Sequence, residues 1–191
     1  MAPSGLPSAS NLLQIQSAQP SDAGQYQVLA SNPCGGQTSP PVTLTVFAAP
    51  SLYCTAKPNS LGCSAVLSWA GSPSASAGSG FDISFGPVPG KRYGLFICTT
   101  SGAASTPLQG AFGTLCLETS SIWRTPALLS GGTGGTCTGA YTIDFYAYFA
   151  SPAAPAILQP GSTVDMQCWY RDPPDPGGAN LSNAIRFLMC P

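Results

Sequence analysis

The sequence predicts an all-β protein, a disulfide-bonded and jelly-roll-like β-sandwich preceded by a shorter β segment. Hydrophobic residues make up 43% of the 191 positions, which is enough for a core, and the 22 Gly and 20 Pro show no collagen-like repeat. Short apolar runs separated by Gly, Pro, Ser and Thr are typical of sandwiches and barrels. Eight cysteines without a single histidine add the expectation of disulfides.

The C-terminal end has the sharpest strand pattern. Apolar and polar residues alternate over residues 164–170, which predicts a strand with one buried face. Residues 173–178 are mostly Pro and Gly and form a turn or loop, because neither a helix nor a ladder continues through them. Residues 185–189 alternate again, so we expect a terminal hairpin with a long, rigid connection.

The charge pattern excludes several classes of function. Only 7% of residues are charged and the net charge is −1, with the six basic residues scattered along the chain. Nucleic-acid binding needs a cationic face, so we expect none. No paired C-x2-C knuckle is present for zinc, and we expect no cofactor. The most apolar stretch, residues 141–158, is interrupted by Asp144, Pro152 and Pro155 and does not predict a membrane span.

The cysteines indicate an extracellular or cell-surface protein. Their wide spacing on predicted β-structure favours disulfides, and we expect at most two free thiols. Cys34 is the only cysteine before residue 50, so it bridges elsewhere or at least two thiols stay free. Residues 1–10 lack the pattern of a signal peptide, so we expect a longer precursor or a processed product. The disulfide candidates are Cys34, Cys54, Cys63, Cys98, Cys116, Cys137, Cys168 and Cys190.

The chain begins with an arm or linker over residues 1–9 and a β segment over residues 10–47. Leu13 and Ile15 predict a short strand, followed by an Asp-x-Gly-x-Tyr pattern that ends at Tyr26. Residues 32–36 predict a turn before a last strand that contains Val42, Leu44 and Val46.

This order resembles strands E, F and G of a bacterial immunoglobulin-like domain. The resemblance implies a tyrosine corner, in which the hydroxyl of Tyr26 donates to upstream backbone. Two features depart from the family. Val28 stands where the strand F cysteine is usual, and strands A to D with their core tryptophan are missing.

Half a sandwich does not bury its own apolar face. The surface that covers this face belongs to the second domain, to another copy of the chain or to upstream sequence. We expect another copy, in a head-to-tail homopolymer with intermolecular β contacts. The predicted assembly face consists of Leu13, Ile15, Tyr26, Val28, Val42, Leu44 and Val46.

A linker over residues 48–50 leads to a sandwich domain over residues 51–191. Strands are expected to begin near residues 65, 81, 92, 114, 141, 164 and 185, with shorter pieces near 52 and 122. Residues 141–149 carry aromatics on both faces, which predicts a central strand covered on both sides.

From residue 53 onward the chain resembles a C-terminal domain that recurs in secreted bacterial surface proteins. The resemblance implies a location and an accessory role without a known reaction. It also implies the disulfides Cys54–Cys116 and Cys63–Cys190. It rests on Tyr53-Cys54-x-Ala56-x-Pro58-Asn59-Ser60-x-Gly62-Cys63, Gly94-Leu95-Phe96, Gly113-x-Leu115-Cys116-Leu117, Asp144-Phe145, Gly161-x-x-Val164-x-x-Gln167-x-Trp169-Tyr170-Arg171-Asp172-Pro173 and Asn180-Leu181-Ser182-Asn183-Ala184.

Several side chains are candidates for a binding site. Trp169, Tyr170 and Arg171 could form a sugar-stacking platform, but we favour the alternative that Arg171 and Asp172 hold the following loop by hydrogen bonds. Asn180 begins a glycosylation sequon. A calcium site is a minor alternative. Its candidate ligands are Asp172, Asp175, Asn180 and Asn183.

The sequence does not indicate an enzyme. Without histidine there is no Ser/His or Cys/His pair. Asp144 and Asp165 both lie on mostly polar strand faces and could be neighbours, but nothing in the sequence says that they are, and solvated carboxylates are the default. We therefore expect a structural subunit of a surface filament or other homopolymer, or alternatively a carbohydrate-binding or adhesive module. The assembly state in solution separates the two.

Overall fold

The structure is a computed structural model that describes residues 12–108 and 113–191. The described residues divide into two compact units, the first ending at Ala48 and the second running from Ala49 to Pro191. Both are built from strands, so the predicted all-β class is confirmed. The arm predicted over residues 1–9 lies outside the described residues.

The first unit is a twisted two-stranded ribbon. Its strands are β1 (Gly24–Tyr26), β2 (Leu29–Asn32), β3 (Gly35–Thr38) and β4 (Val42–Leu44). Strand β1 pairs antiparallel with β4, and β2 pairs antiparallel with β3. Leu29 faces Thr38 whereas Tyr26 faces Val42, so one extra residue is accommodated between β3 and β4. Pro40 and Pro41 lie there, and neither donates a ladder hydrogen bond.

Two strand predictions in this unit are wrong. Leu13 and Ile15 belong to no strand, because no ladder partner for them is present among the described residues. The strand predicted through Tyr26 and Val28 is divided into β1 and β2, because it runs opposite the two prolines. The turn predicted at residues 32–36 is present and joins β2 to β3.

Among the described residues the second unit contains, besides a 3-10 helix over Ala75–Ala77, eleven further strands and one short α-helix. They are β5 (Ser51–Tyr53), β6 (Val66–Ala70), β7 (Asp82–Val88), β8 (Tyr93–Thr99), β9 (Ala103–Leu108), β10 (Gly113–Leu117), β11 (Trp123–Arg124), β12 (Leu128–Leu129), β13 (Gly139–Asp144), α1 (Phe145–Phe149), β14 (Thr163–Arg171) and β15 (Ala179–Leu188).

These strands form a sandwich. The large sheet has the order β11-β8-β14-β15-β5, with β12 also paired to β8. The small sheet has the order β13-β7-β6, and β9 and β10 form a separate hairpin. Side chains of the two sheets meet in one core. Its largest fully buried members are Tyr141, Tyr146, Tyr170, Phe81, Phe85, Phe96, Phe145 and Phe187.

Strand β14 is covered on both faces. Met166 and Cys168 face the main core. Trp169 packs in a second apolar cluster with Leu117 of β10 and Leu181 of β15, on the side of the β9–β10 hairpin. Alternation along an extended strand sends successive side chains to opposite layers. The terminal hairpin predicted from this stretch is confirmed, with β14 antiparallel to β15.

The central strand predicted over residues 141–149 is wrong in its second half. Strand β13 ends at Asp144, and residues 145–149 form α1. The Asp144 side chain accepts hydrogen bonds from the backbone N–H groups of Tyr146 and Ala147, both at 3.1 Å. This is an N-cap, which starts a helix. The aromatics of this stretch are therefore residues of α1, except Tyr141, which lies on β13.

One of the two implied disulfides is present. Cys54 pairs with Cys116 as expected, whereas Cys63 pairs with Cys137 at a Cα–Cα distance of 5.7 Å. The predicted Cys63–Cys190 bridge is wrong. Cys190 is held elsewhere, because its backbone N–H donates to the Pro73 carbonyl at 2.7 Å.

Four cysteines are free, so the expectation of at most two free thiols is also wrong. They are Cys34, Cys98, Cys168 and Cys190. Cys98 lies opposite Met166 in the ladder and Cys168 opposite Phe96, so the two thiols are diagonal neighbours rather than a facing pair. Both fill the core as small apolar groups, and burial raises the pKa of each thiol well above its usual value.

Candidate functional site

The first unit presents an apolar face formed by four of the seven predicted residues. Facing positions of an antiparallel ladder share a side, and the register pairs Tyr26 with Val42 and Gly24 with Leu44. Val28 lies two positions from Tyr26, between β1 and β2, and we group it with this face by extending the alternation of β1. The side chains of Val28 and Val42 are 70% and 69% exposed. We call Tyr26, Val28, Val42 and Leu44 the ribbon face.

The other predicted members of this face lie apart from it. Val46 follows β4 and is half-buried, while Leu13 and Ile15 precede the first strand and are exposed. Sequence alternation located the ribbon face because its members are spaced two apart. It did not show that residues 12–15 have no partner strand.

The start of the ribbon is fixed by the hydrogen bond that the tyrosine-corner resemblance implies. The Tyr26 hydroxyl donates to the Asp22 carbonyl at 2.6 Å. The Asp22 carboxylate accepts from the Gln19 backbone N–H at 2.8 Å. These local hydrogen bonds fix the residues that precede β1, although no buried apolar side chain of the described residues holds them.

The two edges of the ribbon are open and differ in proline content. Within the described residues each of its strands pairs with one other strand only. The β3–β4 edge is interrupted by Pro40 and Pro41, whereas residues 24–32, which include β1 and β2, contain no proline. Proline protects a strand edge because it offers no N–H. The β1–β2 edge is therefore the better template for an added strand.

The predicted sugar platform does not assemble in the second unit. Tyr170 is 1% exposed and packs against Phe85 and Tyr141, with ring centroids 5.6 and 6.2 Å away. Trp169 and Arg171 point to the opposite layer, where the guanidinium carbon lies 5.7 Å from the indole centroid. The three consecutive side chains alternate between layers and present no common surface.

Asp172 instead holds the loop between β14 and β15, as the favoured alternative expects. Its carboxylate accepts from the Ser60 N–H at 2.7 Å, the Ser60 hydroxyl at 2.5 Å and Asn180 Nδ2 at 2.8 Å. The Asp172 N–H donates to the Gly178 carbonyl at 3.0 Å and closes the loop. Arg171 has no such role, since it is exposed and stacks on Trp169.

Asp175, Lys57 and Asn180 complete a compact polar cluster. Lys57 Nζ lies 2.6 Å from both oxygens of Asp175. Asp175 also accepts from the Gly177 N–H at 3.0 Å and Asn180 Nδ2 at 3.4 Å. Burial raises the pKa of Asp175, but the bonds from Lys57, Gly177 and Asn180 outweigh it and leave the pKa below its usual value. We call Lys57, Ser60, Asp172, Asp175 and Asn180 the loop cluster.

The loop cluster contradicts two candidate roles. Asn180 is fully buried and donates to both carboxylates, so the folded domain does not offer this side chain for glycosylation. The four candidate calcium ligands do not converge, because Asn183 Oδ1 accepts from the Leu67 N–H on β6. Among the described residues, no three His, Cys, Asp or Glu side chains are grouped to hold a metal.

The two carboxylates considered for catalysis, Asp144 and Asp165, lie in different sheets, and each already accepts hydrogen bonds. Asp144 caps α1, at the end of the small sheet. Asp165 is fully buried in the large sheet and receives Arg186 Nε and Nη2, both at 2.9 Å, and the Tyr53 hydroxyl at 2.7 Å. Burial and the Asp165 carboxylate raise the pKa of Tyr53. This arrangement is a satisfied buried ion pair rather than an acid–base pair facing a cleft.

Gln167 is a buried polar residue whose role the sequence pattern did not reveal. Its side chain accepts from the Cys116 N–H at 3.1 Å. It donates to the carbonyls of Thr114 at 2.9 Å and Ser182 at 2.6 Å. It thereby joins β10, β14 and β15, so this residue of the motif has a structural role. Gln167 lies at a polar position of the alternating pattern, so nothing in the sequence indicated that its side chain is buried.

No protein-family model matches the chain, and no curated protein is significantly similar to it. No helix in the described part of the chain is long and apolar enough to cross a membrane. The contacts of the described residues therefore carry any conclusion about function.

Proposed function

We propose that this protein is a non-catalytic, extracellular structural protein whose copies assemble through the first unit. The observation that carries the proposal is that none of residues 12–48 is buried, although the segment is paired into strands. A two-stranded ribbon is marginally stable in water by itself. Its order is best accounted for by a surface that covers the ribbon face in the assembled state.

Both the face and the edge suit a strand from another copy. Val28 and Val42 expose apolar side chains on one side, and the proline-free β1–β2 edge offers unpaired backbone groups beside them. Added strands bind through main-chain hydrogen bonds, with side-chain contacts supplying specificity. The donor surface lies outside the ribbon, so repeated contacts run head to tail and form a polymer rather than a closed dimer.

The low charge of the first unit favours binding to another copy of the chain over binding to a charged partner. Asp22 is the only charged residue among the first 48. A polyanion or an acidic surface would find no cationic group there, and like copies experience little mutual repulsion. Two disulfides in the second unit support an oxidising, extracellular location.

The test is the assembly state of the full chain, measured by sedimentation velocity and electron microscopy over a range of concentrations. Replacing both Val28 and Val42 by Ser removes about 3 kcal/mol of apolar burial from each contact, so association should weaken roughly a hundredfold. The matched control is Leu29→Ser, because Leu29 is 66% exposed but belongs to β2 and is not a member of the ribbon face.

The proposal predicts assembly of the wild-type and Leu29→Ser chains and loss of assembly in the double variant. A wild-type chain that stays monomeric at high concentration contradicts it. Equal weakening by Leu29→Ser would show that the ribbon face is not the contact surface.

A further inference from the structure

An amine, a carboxylate and a carboxamide stand side by side in the loop cluster. Lys57 Nζ is 2.6 Å from both oxygens of Asp175, and Asp175 Oδ2 is 3.4 Å from Asn180 Nδ2. The carboxylate thus touches both the amine and the nitrogen of the carboxamide. We propose that Lys57 and Asn180 become joined by an intramolecular isopeptide bond, with Asp175 transferring the protons.

The carboxamide is held in one position and shielded from water. Asn180 is fully buried, and its Nδ2 also donates to Asp172 Oδ2 at 2.8 Å. Among the described residues its Oδ1 has no hydrogen-bond partner, which is a costly arrangement for a buried carbonyl. Asp175 is 7% exposed and the Lys57 side chain 28%. Fixed, desolvated reactants raise the rate of an intramolecular reaction by orders of magnitude.

The step balances without an external reactant. The Lys57 ammonium gives a proton to Asp175, and the free Nζ electron pair attacks Cγ of Asn180. The Cγ–Nδ2 bond breaks while a Cγ–Nζ bond forms. The two protons that Nζ loses pass through Asp175 to Nδ2, which leaves as ammonium. The chain becomes lighter by one ammonia, about 17 Da.

Asn180 is a better acceptor for the amine than Asp175, although Asp175 is nearer. An ionised carboxylate is a poor electrophile, and the contacts of Asp175 hold its pKa below the usual value despite burial. Asp175 is instead placed as a proton carrier, because it meets the nucleophile on one side and the leaving group on the other. The link would join the segment after β5 to the start of strand β15, independently of any assembly of the first unit.

The measurement is the intact mass of the full chain after reduction and unfolding, followed by tryptic mapping. The wild-type chain is expected about 17 Da below the sequence mass. Its digest should contain residues 172–186 joined to residues 1–91, a fragment that trypsin leaves intact in any case because Pro58 follows Lys57. Lys57→Arg keeps the charge but cannot form the bond, so it should have the full sequence mass. The matched control Lys91→Arg should keep the deficit.

A second variant separates the chemistry from folding. Asp175→Asn should have the full sequence mass because its side chain does not carry the protons, and circular dichroism will show whether it is folded. A wild-type chain at full mass overturns the proposal. A deficit of one water, about 18 Da, with residue 57 joined to residue 175 overturns the assignment to Asn180. A folded Asp175→Asn chain that still cross-links overturns the role of the carboxylate.

Discussion

The two units are made of similar strands, yet only the second encloses a core. The first buries none of the side chains over residues 12–48. In the second, Phe81, Phe145 and Phe187 meet edge to face, with centroids 4.8 and 5.0 Å apart for the pairs with Phe187. The difference shows that alternation alone forms a paired ribbon, whereas a stable domain requires a second layer.

The units also use polar residues differently. In the first, local bonds such as that of Tyr26 with the Asp22 carbonyl fix turns at the surface. In the second, the carboxylates of Asp165 and Asp172 are fully buried and join segments distant in sequence. A chain with few charges thus places several of them inside, where each is hydrogen-bonded.

The largest effect is expected from removing a core ring. Phe81→Ala deletes a fully buried side chain packed against Phe187 and should lower the free energy of unfolding by about 3–5 kcal/mol. Val42→Ala, at an exposed position of the ribbon, should change it by less than about 0.5 kcal/mol. Denaturant unfolding followed by tryptophan fluorescence is suitable, because all three tryptophans lie in the second unit. A comparable loss in Val42→Ala would mean that the ribbon contributes to the same core.

A smaller but still large effect is expected at Gln167. Gln167→Leu leaves the Cys116 N–H and the Thr114 and Ser182 carbonyls without this partner. A buried polar group left unpaired costs about 1–3 kcal/mol, so we expect a total near 2–4 kcal/mol. The exposed Gln159 is the control, and Gln159→Leu should stay within about 0.5 kcal/mol. If Gln167→Leu is neutral, the network that joins β10 to the large sheet adds nothing to stability.

Much of the second unit was predictable because its strands follow local alternation. Nine predicted strand positions correspond to observed strands, and the missed β9 and β12 show no clear period-2 pattern. Gly94 illustrates what a motif alone does not explain. A Cβ there would lie 2.7 Å from the Tyr141 ring and 2.9 Å from the Trp169 carbonyl. Glycine is required at position 94 because neighbouring strands pack closely against it, and the local sequence does not show this.

The pairings that were mispredicted all depend on contacts between distant segments. Cys63 meets Cys137 rather than Cys190, and these two cysteines precede β6 and β13, the two outer strands of the small sheet. The Tyr170 ring turns into the core while Trp169 and Arg171 face the other layer. No spacing in the sequence specifies which layer covers which face, so the loop cluster was foreseen only in Asp172, Asp175 and Asn180, without Lys57 and Ser60.

The smallest effect concerns Asp144, where a local rule overrides the strand pattern. Asp144→Ala removes the cap of α1 and should cost about 1 kcal/mol at neutral pH. Asp144→Asn keeps a capping oxygen and should lie between the wild type and the Ala variant. The measurement is thermal or denaturant unfolding of the three chains as a function of pH.

The cap should weaken in acid because of its charge. Hydrogen bonds from the Gly80 N–H first, and from those of Ala147 and Tyr146, lower the pKa of Asp144 in the folded state. The unfolded chain then binds the proton more readily, so the stabilisation is complete above the unfolded value of 3.8 and disappears as the pH falls through the lower folded value. The difference between wild type and Asp144→Ala should shrink in that window, while Asp144→Asn relative to Asp144→Ala stays constant. A wild-type advantage that persists unchanged in strong acid would show that the carboxylate charge contributes nothing to the cap.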